Sequence, residues 1–293
     1  MATKVILDTD IGTDIDDAIC LTYLLNNPEC ELLGITTVTG QPELRAMIAS
    51  SLCKYAGKEI PIYPGFSDPM RIEQRQKIAV QAKSLNKWPH ETNFPKGEAV
   101  EFLRKTIRDN PGEVTLLTIG PLTNIGALFN LDPEIPSLLK SLAMMCGYYQ
   151  FHFKGKGKLE WNVRGDYHAS DIVFKSSPPL VRALGLDVTM KVTMTSDEFK
   201  NKFSADPFRP LQDYAQHWYQ LHSPSVTFHD PLAGAIIFNP GICKFIEGDI
   251  SIAMKGNKKK GKTIFNQNHA GKHEIAVSVD KQKFFDEYLS VFK

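Results

Sequence analysis

Five aspartates lie between Asp8 and Asp17, directly after the apolar run Val5–Leu7, and they are the residues of this chain best suited to chemistry. So many carboxylates in one turn repel one another unless a multivalent cation or ordered hydrogen-bond donors neutralise them. The segment therefore predicts a site for a hard cation at the end of a β-strand. The alternative, a solvated turn whose aspartates cap a helix beginning near Asp16, accounts for one or two of the five.

An EF-hand does not explain this segment. Asp8 and Asp10 fit the first two ligand positions of its loop, which also requires Gly at the sixth position and Glu at the twelfth. Thr13 and Ile19 stand there instead.

The composition limits the class of protein and its partners. A chain of 293 residues with a net charge of +1 gives no electrostatic reason to expect nucleic acid, and the Lys-rich stretch 255–262 reads as a hairpin tip. The five cysteines are odd in number and contain no Cys-x-x-Cys pair, which indicates reduced thiols. No apolar run suits a signal peptide or a membrane span. We expect one cytoplasmic domain, residues 1–293, without a membrane partner.

Strand-like and helix-like segments alternate along the chain, and the strands are continuous apolar runs. This pattern is typical of a parallel sheet whose two faces are both covered by helices. It predicts an α/β fold with an open, mostly parallel sheet. The predicted strands are 5–7, 31–38, 60–63, 114–119, 141–149, 180–188, 245–254, 263–266 and 274–279, and the predicted helices are 18–25, 43–56, 123–131, 196–203, 210–222, 232–238 and 281–292.

Ligands in such sheets bind at the carboxyl ends of the strands. Polar segments follow several of the predicted strands: Asp8 and Asp10 after the first, residues 39–41 after the second, and residues 120–124 after a later one. We expect them to meet at one site. Two long loops, 67–96 and 150–165, lack a regular period and are predicted to select the substrate.

The acids suggest a particular chemistry. Calcium takes six to eight oxygen ligands. Asp10 and Asp17 are natural ligands, and the distant Asp230, in His229-Asp230-Pro231, could complete the ligand set. A bound cation lowers the pKa of a coordinated water, and Asp10 could accept a proton from that water as a general base. Asp16 would then face vicinal hydroxyls, as sugar sites require.

Several motifs together resemble the inosine-uridine-preferring nucleoside hydrolase family. They run in order through nearly the whole chain: Ile6-Leu7-Asp8-Thr9-Asp10-Ile11-Gly12, Asp16-Asp17-Ala18, Gly34-Ile35-Thr36-Thr37-Val38, Gly120-Pro121-Leu122-Thr123-Asn124, Glu160-Trp161-Asn162 and His229-Asp230-Pro231. The resemblance implies a calcium-dependent N-ribohydrolase that cleaves the N-glycosidic bond of a ribonucleoside or a related ribosyl compound. It also implies a homodimer or a homotetramer.

The same resemblance implies roles for individual residues. Asp10 would be both calcium ligand and base, with Asp17, Asp230 and the backbone carbonyl of Ile119 as further ligands and Asp8 supporting them from behind. The sugar would be held by Asp16, Asp230, Glu160 and Asn162. His229 would face the base of the nucleoside.

Some positions depart from the family pattern. The spacing before the Asp16-Asp17 pair is two residues longer, which adds Asp14 as an extra acid, and we expect Asp14 to cap the helix. Gln41 stands where the family has Asn, and a ribose contact there is predicted with a longer reach. The loops over the nucleobase do not match the family pattern, so the sequence leaves open which nucleobase is released. It also leaves open whether His229, His90, His152 or none of them is the leaving-group acid. Trp88 is predicted to belong to a lid, in preference to Trp161.

Two other functions compete with this interpretation. A haloacid-dehalogenase-like phosphatase also places Asp-x-Asp after a first strand, but its pattern disagrees with Gly12 and with Ala253 four residues after Asp249. A calcium-dependent sugar-binding homologue, without catalysis or with another glycosidic substrate, would retain the ribose site while the loops changed.

Overall fold

The structure is a computed structural model that describes residues 2–149, 159–221, 225–256 and 259–292. Its strands are β1 (Thr3–Thr9), β2 (Cys30–Thr37), β3 (Ile62–Pro64), β4 (Val114–Thr118), β5 (Ser141–Met145), β6 (Val181–Leu184), β7 (Thr193–Thr195), β8 (Ser225–Thr227), β9 (Cys243–Ile252), β10 (Thr263–Gln267) and β11 (His273–Val279).

The helices alternate with these strands through most of the chain. They are α1 (Asp16–Asn26), α2 (Pro42–Tyr55), α3 (Ala99–Asp109), α4 (Thr123–Leu131), α5 (Ile135–Leu138), α6 (Trp161–Gly165), α7 (Tyr167–Lys175), α8 (Leu186–Thr189), α9 (Ser196–Lys202), α10 (Arg209–Leu221), α11 (His229–Phe238) and α12 (Lys281–Ser290), with 3-10 helices at Val80–Lys87 and Pro240–Ile242.

Nine strands form one open sheet in the order β10-β9-β11-β6-β5-β4-β1-β2-β3. The pairs from β3 across to β11 are parallel, whereas β9 runs antiparallel to both β11 and β10. The strands β7 and β8 form a separate antiparallel pair. The prediction of an open, mostly parallel α/β sheet is confirmed.

Helices cover both faces of the sheet, and alternate strand residues supply the two cores. In β1, Val5 and Leu7 pack on one face with residues of α1, α2, α11 and α12, while Ile6 packs on the other with residues of α3, α4 and α7. All three side chains are fully buried. This explains why the strand reads as a continuous apolar run in the sequence.

The central strands carry the functional edge of the sheet. β1 lies between β2 and β4, so the segments that follow these three strands leave the sheet side by side. On one face α1 packs against α11 at Gly234, where an added Cβ would lie 3.1 Å from Cys20 Sγ. This close approach brings the start of α11 next to the start of α1, and the Asp230 backbone N–H donates to Asp16 Oδ2 at 3.3 Å.

Some predicted elements were wrong. The strand expected through Val188 ends at Leu184, because Gly185 precedes a short helix, α8. The strand expected through Tyr149 ends at Met145. The helix α3 and the strands β7 and β8 were not predicted. The hairpin expected over 255–262 is consistent with the antiparallel pairing of β9 and β10, although Asn257 and Lys258 lie outside the described residues. That the chain is a single domain stays a prediction.

None of the helices in the described ranges is both long enough and apolar enough to cross a membrane.

Candidate active site

A cavity of about 710 Å³ opens at the carboxyl ends of the central strands. Its walls come from the β1–α1 turn, the segment 75–78, the end of β4, the start of α6 and the start of α11. Most of the predicted site residues meet here: Asp10, Asp16, Asp17, Ile119, Glu160, Asn162, His229 and Asp230. Asp8 and Gln41 are not among the residues that line it.

Three carboxylates lie close enough together to share one cation. Asp16, Asp17 and Asp230 each offer an oxygen, and these atoms all lie within 4.8 Å of one another. The three side chains are at most 4 % exposed. They come from the first turns of α1 and α11, so helix packing alone brings them together.

These three carboxylates can all be ionised only if a positive charge lies near them. Burial, together with repulsion between neighbouring acids, raises the pKa of Asp16, Asp17 and Asp230 well above its usual range. In the described ranges, no Lys or Arg nitrogen lies within 4.0 Å of the three carboxylates. Buried carboxylates with only oxygen donors fit a hard divalent ion. The residues present therefore suit a metal centre.

Asp10 lies beside this group and has different neighbours. It is 5 % exposed, and burial raises the pKa of its carboxyl, while Arg45 and a hydrogen bond from the Gln76 side chain oppose that rise. The predicted ligand set included Asp10 and assigned Asp16 to the sugar. The three carboxylates that lie close together, called the close group below, include Asp16. Both assignments stay predictions, and all four carboxylates line the same cavity.

Asp8 does not line the cavity, and its supporting role stays a prediction. It is fully buried, and its Oδ1 accepts hydrogen bonds from Thr36 Oγ1 at 2.5 Å and Asn124 Nδ2 at 2.7 Å. Burial raises the pKa of Asp8 to about 7. The next residue, Thr9, donates through Oγ1 to Asp17 Oδ1 at 2.5 Å. The Thr9 hydroxyl at the end of β1 therefore orients the Asp17 carboxylate of the close group.

Arg45 is a fully buried cation that sequence reasoning missed. From α2 it donates through Nη1 to the carbonyls of Asp10 and Ile11 and through Nε to the Gly40 carbonyl. Its Nη1 also lies 3.3 Å from Thr13 Oγ1. Arg45 thus supports the β1–α1 turn from behind and places a positive charge near the acids.

Replacing Arg45 by Met is expected to destabilise the protein by about 3–5 kcal/mol, because it leaves buried carbonyls and acids without their cation. Chemical denaturation followed by circular dichroism measures this loss. Arg104→Met is the matched control, since Arg104 is partly exposed in an ion pair with Glu101, and its unfolding midpoint should stay close to that of the unmodified protein. An equally small change for Arg45→Met would contradict a supporting role.

Asp14 does not cap α1, and that prediction was wrong. The N-cap position is Ile15, in helical conformation and without a side-chain cap. Asp14 Oδ1 instead accepts from the Ile15 backbone N–H at 2.6 Å, and its carboxyl lines the cavity. Asp14 is one residue before the N-cap position, so its carboxyl meets the N–H of Ile15 and not an N–H of the first helical turn. Burial raises the pKa of Asp14 to about 7.

Glu160 and Asn162 organise the start of α6. Both Glu160 oxygens are used by backbone N–H groups: Oε1 accepts from Asn162 at 2.7 Å, and Oε2 accepts from Gly147 and Val163 at 3.0 Å. Glu160 is therefore the helix cap, which the sequence did not reveal. Asn162 Nδ2 donates to the carbonyls of Ile119 at 2.9 Å and Met145 at 3.0 Å. Among the described residues its Oδ1 accepts no hydrogen bond and is available to a ligand.

Gln41 is placed away from the cavity wall. It adopts a left-handed backbone conformation before α2, with φ 62°, and its Oε1 accepts from the Ala79 backbone N–H at 2.9 Å. Its amide therefore anchors the chain that continues the cavity segment 75–78. The ribose contact expected of Gln41 stays a prediction.

Among the described residues, His229 is the histidine that lines the cavity. Its Nδ1 lies 2.7 Å from Thr189 Oγ1, and burial lowers the pKa of its imidazole to about 4. The ring is thus neutral near pH 7 and carries one N–H, which lies on Nε2 and is free for a ligand when Nδ1 accepts from the Thr189 hydroxyl. His90 does not line the cavity and contacts the Trp88 carbonyl at 2.8 Å. His152 lies outside the described residues, as do residues 150–158 of the second predicted loop.

The lid role predicted for Trp88 was wrong. Trp88 packs against the core and edge-on to Tyr55, with ring centroids 5.2 Å apart. Trp161 lines the cavity and is 43 % exposed. Both tryptophans have polar neighbours in the sequence. Only the course of the folded loops shows that one packs on the core and the other lines the cavity. The part of the predicted loop 67–96 that reaches the cavity is 75–78.

Comparison with known proteins gives one family. The sequence profile of the family described as inosine-uridine preferring nucleoside hydrolase matches residues 5–286. A curated relative, the pyrimidine-specific ribonucleoside hydrolase RihA of Salmonella enteritidis, is 30% identical over 309 residues, which covers 98% of this chain and 97% of that protein.

Solved structures agree on the fold. A plant nucleoside hydrolase, the PpNRh1 enzyme, superposes with a TM-score of 0.85 at 23% identity and covers 99% of both chains. A purine-preferring ribonucleoside hydrolase from Gardnerella vaginalis superposes with a TM-score of 0.84 at 26% identity, covering 99% of this chain and 98% of that one.

Proposed function

This chain belongs to the inosine-uridine preferring nucleoside hydrolase family, and from that premise we propose that its acidic cavity cleaves ribonucleosides with the help of a calcium ion. The chain is a hydrolase acting on N-glycosyl compounds. The observation that supports the location of the chemistry is the convergence of Asp16, Asp17 and Asp230 in a buried group beside Asp10.

A calcium ion bound here would lower the pKa of a water molecule and hold the ribose diol. The ligands in this proposal are Asp10, Asp17, Asp230 and the Ile119 carbonyl. Asp16 would bind ribose hydroxyls, and its place inside the close group also suits it as a further oxygen donor.

Asp10 is proposed as the general base. Its carboxylate would take a proton from the attacking water as the oxygen of that water bonds to the anomeric carbon and the N-glycosidic bond breaks. The electrons of the broken N-glycosidic bond leave with the nucleobase, and the nucleobase then needs a proton. Asp10 is held for this role by its backbone, since Arg45 donates to the Asp10 carbonyl.

We propose that the ribose and the nucleobase contact different walls of the cavity. Asn162 Oδ1 and the remaining lone pair of Glu160 would accept from ribose hydroxyls, because the other polar atoms of these side chains are already used. The leaving base would lie toward His229, Trp161 and Leu186, which line the rest of the cavity. A neutral His229 N–H can donate a hydrogen bond to a base atom on which negative charge develops.

The test is the release of ribose from a panel of nucleosides. RihA is named for pyrimidine nucleosides and the Gardnerella enzyme for purine nucleosides, so the panel should contain uridine, cytidine, inosine and guanosine. We expect ribose release from at least one of them, measured as reducing sugar, with and without a chelator. Tight ribose binding without turnover would instead support a non-catalytic sugar binder, and phosphate release from phosphomonoesters would support a phosphatase.

The cytoplasmic location and the homodimer or homotetramer expected from the sequence stay predictions. The same holds for the absence of nucleic-acid and membrane partners.

A further inference from the structure

Thr189 and His229 form a hydrogen-bonded pair at the wall of the cavity. The Thr189 side chain is fully buried, and its Oγ1 lies 2.7 Å from Nδ1 of His229. Within the described ranges the Thr189 hydroxyl forms no other hydrogen bond, and Nε2 of the His229 ring forms none. Nε2 is therefore the ring nitrogen that is available to a molecule in the cavity.

The separate antiparallel pair of strands β7 and β8 holds these two residues next to each other. Beyond the paired strands, the Phe228 N–H donates to the Val192 carbonyl at 2.8 Å, and the Val192 N–H donates to the Thr189 carbonyl at 3.0 Å. His229 directly follows Phe228 and begins α11. The backbone hydrogen bonds of this small sheet therefore fix the position of the Thr189 hydroxyl against the imidazole.

The direction of this hydrogen bond follows from the single proton of the hydroxyl. A helical threonine often donates to the carbonyl four residues earlier, but here that carbonyl, of Gly185, accepts from the Thr189 backbone N–H at 3.2 Å. If Nδ1 of His229 carried the ring proton, the buried hydroxyl proton would have no acceptor, which is unfavourable. The hydroxyl therefore donates to Nδ1, and the neutral ring carries its proton on Nε2.

We propose that Thr189 is a positioning residue that holds the neutral His229 ring with its Nε2–H toward the cavity, where the ring donates a hydrogen bond to the leaving nucleobase. The catalytic consequence rests on the proposed function, whereas the hydrogen bond from Thr189 is independent of it. The Nε2–H stabilises the negative charge that develops on the nucleobase as the N-glycosidic bond breaks. The ring keeps its proton, because losing it would leave an imidazolate, and the departing nucleobase takes its proton from water.

Magnetic resonance tests the position of the ring proton without any reaction. Proton–nitrogen correlation spectra of protein with isotope-labelled histidine distinguish the two neutral tautomers, and the His229 signals are those that disappear in His229→Gln. Near pH 7 we expect the proton on Nε2 in the unmodified protein and in Thr189→Ser, which keeps the hydroxyl. Thr189→Val keeps the shape of the side chain but removes the donor, so its His229 ring should show both tautomers.

Two substrates with different leaving groups test the catalytic part of the proposal. Thr189→Val should lower kcat/KM for the best nucleoside of the panel by about 10- to 100-fold, the range typical of residues that orient metal-bound histidines. The substrate 4-nitrophenyl riboside releases a nitrophenolate that is stable as an anion, so its kcat/KM should change little. Thr189→Ser should restore most of the nucleoside activity. A general distortion of the cavity would lower the activity on both substrates alike.

The matched control is Thr115→Val. Thr115 is also a buried threonine, with its Oγ1 2.9 Å from Ser141 Oγ, but it lies near the start of β4, at the end of the strand away from the cavity. This variant should leave the His229 spectrum and both activities unchanged. A ring proton on Nδ1, an Nε2 proton unaffected by Thr189→Val, or equal losses on the two substrates would overturn the proposal. If the unmodified protein hydrolyses no nucleoside, the proposed function fails, while the spectra still decide whether Thr189 sets the tautomer.

Discussion

Asp10→Asn is expected to lower kcat for nucleoside hydrolysis by about 10²- to 10⁴-fold, the contribution typical of a general base. The substitution keeps the size of the side chain and removes its ability to accept a proton. Asp10 is buried on the cavity wall, and its backbone is fixed by Arg45. The amide should therefore occupy nearly the same place as the carboxylate.

The assay must separate a base from a ligand. A variant that has only lost calcium affinity recovers when calcium is raised to saturation, whereas a variant without its base does not. Asp109→Asn is the matched control, because Asp109 is exposed on α3 and pairs with Lys105. Recovery of Asp10→Asn at saturating calcium would show that Asp10 acts as a ligand alone.

The sequence predicted the sheet and the meeting of distant acids for a physical reason. Apolar strands followed by polar turns place those turns at one edge of a parallel sheet, and acids in the first turns of two helices meet when the helices pack. Asp17 and Asp230 could be placed together on this ground. The boundary of β6 could not, because Leu180–Val188 is largely apolar on both sides of Gly185, and that glycine alone marks the change to a helix.

The supporting residues were less visible in the sequence. Arg45 stands in a helix where arginines usually reach solvent, and only the tertiary fold shows that its guanidinium is enclosed by the β1–α1 turn. Gln41 was assigned to the sugar by its position in a motif, and only the tertiary fold shows that its Oε1 accepts from the Ala79 backbone N–H.

The roles of the two tryptophans also depended on tertiary structure. Trp88 follows a 3-10 helix that packs on the core, whereas Trp161 opens α6 beside the acids. Loop sequences without a period give no direction for such side chains. The part of the site that faces the base was therefore the part least accessible to sequence reasoning.

Removing divalent cations is expected to abolish hydrolysis and to lower the thermal midpoint of the protein. Three buried carboxylates with oxygens within 4.8 Å of one another, and with no Lys or Arg partner among the described residues, repel one another when ionised. A cation that binds only the folded state at about 100 times its Kd adds about 2.7 kcal/mol of stability. Dialysis against EGTA, followed by kinetics and calorimetry, measures both effects.

Restoring single metals then tests the identity of the ion. Calcium should recover activity and thermal midpoint, whereas magnesium should recover little, because it requires near-octahedral geometry and holds its water strongly. Asp17→Asn should need more calcium than the unmodified protein for the same recovery, with Asp109→Asn as the control. Full activity after exhaustive chelation would contradict the metal centre. Equal recovery with magnesium would contradict calcium while leaving the acidic group as a site for divalent ions.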